Sequence, residues 1–203
     1  MRLFECLEKI NSECKGFQIF PKRACRVDGE KGIKKHLKLN LSSCDYFHIK
    51  KQNKLNIVTM IEFTDLKKQK ENLERSKKLC ILEVEKMLET MDELSAKNCK
   101  EKIKNQLNSL RTGEIKRKIL DELRRKAIES IVIFYQLRTG FNIKESNIKN
   151  SKFCFYVVIC SPLDDDFFIE NLKVHLKDII KDVIEDIKII PIKDFNLKNF
   201  GIN

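Results

Sequence analysis

No apolar run in the 203-residue chain approaches 18 residues, the length a membrane-spanning helix needs, so no membrane partner is expected. Acids at positions 5, 8 and 13 interrupt the first turns of sequence, which does not suit a secretory h-region, and a cytoplasmic location is expected. The eight cysteines contain no CxxC and no Cys/His pair at zinc-finger spacing. The three histidines (His36, His48, His175) are scattered. A zinc site is therefore not expected, and most of the cysteines read as small apolar packing residues. There is no internal repeat and no Gly-rich loop of the kind that cradles a nucleotide phosphate.

What is present is charge, and it is unevenly spread. The hydrophobic fraction of 42% with 35% charged residues belongs to a globular, helix-rich chain, long enough for one domain over residues 1–203. Lys plus Arg outnumber Asp plus Glu by 13 to 8 over residues 1–66 and by 18 to 11 over 67–127, but not over 128–203, where the count is 10 to 11. A basic excess confined to two thirds of a chain suits a phosphate-bearing partner, because neutralising phosphates releases their counterions. A solvated lysine-rich face has the same composition, so charge alone leaves both readings open.

Leu3, Leu7, Ile10 and Cys14 recur at spacings of three and four, which predicts an opening amphipathic helix over 2–15. "HLKLNL" (36–41) alternates like a half-buried strand, and "DYFHIKK" and "KLNIVTMIEF" read as two more strands around a tight turn. The second of these is apolar on both faces, as in a central strand. From Leu66 the period becomes helical: 66–95, 97–111 and 114–138 read as helices, with Gly140 ending the last. The very polar 66–113 stretch is expected to be a helical insertion or hairpin beside the core. "KFCFYVVIC" (152–160) is a buried strand, and Asp164, Asp165 and Asp166 suit the N-terminus of the helix that follows. "IKIIPI" (187–192) closes as an edge strand, since Pro191 cannot donate to a ladder. Together these elements predict an α/β fold, a mixed central sheet flanked by helices.

The hairpin carries the chemistry. A two-residue loop at Asn53-Lys54 pairs positions whose numbers sum to 107, which sets Asp45 opposite Glu62 with Cβ atoms roughly 5 Å apart. Two carboxylates so placed repel unless a cation lies between them, and a hard divalent ion such as Mg²⁺ (or Mn²⁺) suits that place.

"CDYFHIKKQNKLNIVTMIEFT" resembles the hairpin of the PD-(D/E)XK nuclease superfamily, in which an Asp opens one strand and an acid-x-Lys triplet closes the next. The resemblance implies a restriction-endonuclease-like core in the order helix, three strands, helix, strand. It also implies metal-dependent hydrolysis of nucleic-acid phosphodiesters, with Asp45 and Glu62 as metal ligands. An acid from the opening helix sometimes completes the family's site, a part that falls here to Glu8 or Glu5. Thr64 stands where the family lysine belongs, and threonine supplies no positive charge. Lys67, Lys68 and Lys126 are the candidates to replace that lysine.

Each of these residues has a plainer reading: Asp45 as a turn residue, Glu62 as a buried acid paired with any lysine, Lys67 and Lys68 as a solvated helix start. "FYQLRTG" (134–140) could stack on a base or close a helix against the core. Three functions follow: a metal-dependent nuclease, by family association in restriction, repair or phage defence; a catalytically inactive nucleic-acid-binding protein on the same fold; or a module whose helices over 66–138 dock a protein partner or a second copy.

Overall fold

The computed structural model describes residues 7–11, 19–52, 55–89, 113–141, 150–161 and 166–195. Its elements are β1 (Leu7–Asn11), β2 (Ile19–Arg26), α1 (Ile33–His36), β3 (Tyr46–Gln52) and β4 (Leu55–Thr64), then α2 (Leu66–Glu89) and α3 (Gly113–Phe141). They are followed by β5 (Ser151–Ile159), α4 (Asp166–Ile180), β6 (Asp186–Pro191) and a closing 3₁₀ turn (Ile192–Asp194). The six strands form one sheet in sequence order. β1 to β4 are an antiparallel meander, whereas β5 and β6 add in parallel to β4 and to each other. Connectivity explains part of this: the tight β3–β4 connection forces antiparallel neighbours, while the long helical crossovers after β4 and β5 return the chain in the same direction.

The mixed α/β sheet with helices is as expected, and β6, bearing Pro191, is an edge strand. β4, the longest strand, lies between β3 and β5 with residues 58–62 buried, so its two-sided apolar run is explained by a central position. α3 spans the helix expected over 114–138, and α2 begins at Leu66 as expected. The helix read over 97–111, and the acids Asp164 and Asp165, lie outside the described residues.

Two expectations are corrected. Residues 7–11 are strand, not part of an opening helix. Ile10 is fully buried while Leu7 is exposed, which is the alternation of an edge strand on β2 rather than a helical stripe. "HLKLNL" is the end of α1 and an irregular turn, not a strand. Lys38 takes a left-handed backbone (φ 55°) and the Leu39 N–H returns to the Lys34 carbonyl, which breaks any ladder there. Leu37, Leu39 and Leu41 still pack on the core, so the apolar signal was right and its geometry was not. β2, which the sequence reading passed over, is a strand of the meander.

The main core lies on the face covered by α3 and α4. It joins Phe47, Val58, Met60, Phe155 and Val157 of the sheet to Ile119, Leu123, Ala127 and Phe134 of α3 and Leu172 and Leu176 of α4. Phe134 meets Phe47 and Phe153 edge-on at centroid distances of 5.8 and 5.4 Å, so it is a core residue. The other face holds a smaller cluster of Ile10, Ala24, Tyr46, Ile61 and Val158, closed by Phe195. Cys25 and Cys44 are buried free thiols, Cys80 is exposed, and Cys160 is disulfide-bonded. No helix among the described residues is long and apolar enough to cross a membrane.

The loop from β2 into α1 is tightly drawn. A Cβ on Gly32 would lie 2.4 Å from the backbone oxygens of both Val27 and Asp28, and backbone cannot step aside as a side-chain tip can. Gly32→Ala is therefore expected to cost about 1–3 kcal/mol by overpacking, read as a lower urea midpoint. Unchanged stability would mean that this loop is not held as described.

Candidate active site

The register of β3 on β4 runs from Gln52↔Leu55 to Tyr46↔Ile61, and every pair has the sum read from the sequence. Asp45 stands one residue before β3, at the end of that ladder, beside Glu62. Hydrogen bonds on both its backbone and its side chain hold it. Its N–H donates to the Ile61 carbonyl (2.9 Å), its own carbonyl accepts the Val27 N–H (2.8 Å), and its carboxylate Oδ2 accepts the Phe63 N–H (2.7 Å). The carboxylate thus serves the next ladder position of β4, where the incoming chain has left the strand.

Glu62 projects toward α3. It is 2% exposed and its Oε1 is 2.5 Å from Lys126 Nζ, while its Oε2 is buried without a hydrogen-bond partner. Burial, with the charge of Asp45 beside it, pushes the Glu62 carboxyl up to about 8, against the lowering effect of Lys126. Burial alone would lower the Lys126 ammonium; the Glu62 carboxylate outweighs it and holds Lys126 above the ordinary lysine value. Glu122, one turn back on α3, is a second acid 3.5 Å from Lys126.

α3 also grips the chain just before Asp45. The Ser42 N–H donates to the Glu129 carboxylate, and the Cys44 N–H donates to Ser130 Oγ at 2.8 Å. Lys126, Glu129 and Ser130 are spaced three and four apart, so one strip of the helix docks both sides of the hairpin mouth. That strip was missed beyond Lys126. Its one signal in the sequence is Ser130 between the apolar residues Ala127, Ile128, Ile131 and Ile133.

The other expected residues are elsewhere. Asp65 caps α2 through the Lys68 N–H (3.0 Å), and Lys67 and Lys68 lie exposed on its first turn, with no ion pair from either to Glu62. Glu8 is on the opposite sheet face, where its carboxylate accepts from Tyr46 Oη and Arg26 Nη1, both at 3.0 Å. It is β1 that carries Glu8 there, so it does not join Asp45 and Glu62. Glu5 lies outside the described residues.

No family model, curated protein or solved structure matches the chain. The site must therefore be judged on its own chemistry. Among the described residues no group of three or more His, Cys, Asp or Glu gathers as a metal cage. Asp45 and Glu62 are two carboxylates side by side, one of them with an unpartnered buried oxygen. That set fits a cation that keeps most of its waters, as Mg²⁺ does, and not one that needs a full protein cage.

Next to Lys126 opens a polar cleft of about 400 Å³ between α3 and the segment 40–43. A second, apolar groove of about 210 Å³ lies between α2 and the start of α3, lined by Leu73, Ile81 and Ile115. Cys80, Glu114 and Lys118 also line it, with Lys118 paired to Glu114 at 3.1 Å.

Proposed function

We propose that this chain is a metal-dependent hydrolase of nucleic-acid phosphodiesters, with Asp45, Glu62 and Lys126 as its working residues. The observation that carries the reading is the contact of Lys126 Nζ with a buried Glu62 whose second oxygen has no partner. It supplies, from α3, the positive charge that Thr64 denies to the hairpin. The resemblance to the PD-(D/E)XK hairpin supports the same assignment. So does the sequence of β2, β3, β4, α3 and β5, which follows the family's three strands, helix and strand, with α1 and α2 as additions. The family's opening helix has no counterpart among the described residues, where β1 stands instead.

Asp45 and Glu62 would hold Mg²⁺ or Mn²⁺, which when bound supplies a more acidic water and charge neutralisation at the phosphate. Lys126 holds a positive charge where negative charge develops on the phosphoryl oxygens. Glu62 must give up a proton to become a ligand, and its burial makes that costly, so metal-dependent activity is expected to rise with pH from the acid side.

The test is cleavage of plasmid DNA and of structured RNA with Mg²⁺ or Mn²⁺, wild type beside Asp45→Ala and Glu62→Ala. Cleavage that disappears in both variants is the expected result. A folded wild type that cuts neither substrate with either metal overturns the reading. A second reading, nucleic-acid binding without cleavage, is favoured by Lys126 already filling one side of Glu62. It predicts salt-dependent binding in the absence of any cutting.

A further inference from the structure

The cleft beside Lys126 has a charge balance and an unmet hydrogen-bonding group that the proposed chemistry does not use. Its walls carry three cations, Lys34, Arg125 and Lys126, and two anions, Asp28 and Glu129. Asp28 is bound to Lys34 at 2.8 Å, and although burial raises its carboxyl, that partner and the Gly29 N–H prevail and keep it below the usual range. Glu129 accepts the Ser42 N–H. Arg125 forms no ion pair with any described residue. Independently, Ser43 lines the cleft and is 4% exposed, and its buried hydroxyl has no hydrogen-bond partner. A hydroxyl buried without a partner is costly, and a ligand oxygen is what would satisfy it.

We propose that this cleft is a subsite for one phosphodiester group of a nucleic acid, held by Arg125 and the Ser43 hydroxyl, with Lys34 and Lys126 on its flanks. Lys34 is paired with Asp28 and Lys126 with Glu62, so Arg125 is the cation left for a ligand, one positive charge for the single negative charge of a phosphodiester. Arginine suits the place because its planar fork meets two phosphate oxygens at once. The inference rests on the hydrolase reading only for what happens next: a phosphodiester seated here adjoins Lys126, and through it Glu62.

The experiment is anisotropy of a fluorescein-labelled oligonucleotide with the full chain in EDTA, where metal-dependent cleavage is suppressed, across a series of salt concentrations. Arg125→Ala is expected to bind about tenfold more weakly and to show a salt dependence shallower by about one unit of log–log slope. Arg124→Ala, its neighbour on α3 and not among the residues lining the cleft, is the control and is expected to change binding much less. Neutral methylphosphonate linkages should remove the difference between wild type and Arg125→Ala. If Arg125→Ala and Arg124→Ala behave alike, the subsite is overturned whatever the cleavage assay shows. If a 5′-phosphorylated mononucleotide competes better than an unphosphorylated dinucleotide, the single-charge assignment is overturned. Arg125-dependent binding without any cleavage would uphold the subsite and overturn only the hydrolase.

Discussion

Lys126→Met is expected to cost about 3 kcal/mol or more of stability above pH 8 and only about 1 kcal/mol near pH 6. The difference comes from Glu62. Its folded-state value is raised from 4.5 to about 8, so the native protein holds a proton there that the unfolded chain releases. Between those two values stability therefore falls as pH rises, and above about 8 the buried carboxylate depends on its lysine. Without Lys126, acid pH still lets Glu62 stay neutral, and only a hydrogen bond is lost. At alkaline pH a buried charge is left with no cation, or must keep its proton against the solvent. Glu62→Gln should flatten the wild-type decline over the same range, and the double variant should be less damaged at alkaline pH than Lys126→Met alone. Urea unfolding at about pH 6 and about pH 9.5 measures all of this. Equal costs at both pH values would show that Glu62 is ionised throughout, and the account of the site would fail.

Phe155→Ala is expected to destabilise by about 3–5 kcal/mol. Phe155 is fully buried on β5, paired with Met60 on one side and Ile187 on the other, and it belongs to the core beneath α3 and α4. A cavity there cannot collapse easily, because hydrogen-bonded strands flank it and two helices cover it. Leu79→Ala on α2, where the side chain is 62% exposed, should change stability by less than about 0.5 kcal/mol. Thermal unfolding of the pair gives the contrast. A similar melting temperature for the two would mean that the sheet and helices do not share the core described above.

The hairpin was readable residue by residue. Its loop length sets the register, and the register sets which side chains share a face, so Asp45 and Glu62 could be placed together from local rules alone. α2, α3, β5, α4 and β6 were readable for a similar reason: each is long or apolar enough for its period to be unambiguous. The start of the chain was not. In Leu7–Asn11 the buried Ile10 is compatible with either period, and what makes the segment a strand is its pairing with β2, some fifteen residues on.

Of the three lysines considered as the missing cation, the sequence could not select one, because all three are compatible with the same hairpin. The choice of Lys126 was made by the docking of α3, which sets Ser130 under Cys44 and Glu129 under Ser42 and so brings the residue one turn earlier onto Glu62. What the sequence by itself determined is the set of periodic elements and the facing of two acids across a tight turn, since both follow from interactions among near neighbours in the chain. What only the tertiary structure decided is which sheet face Glu8 joins, which lysine meets Glu62, and that a polar cleft opens beside them. Each of those depends on how one element packs against another far away in sequence, and hydrophobic burial, which drives that packing, carries no direction of its own.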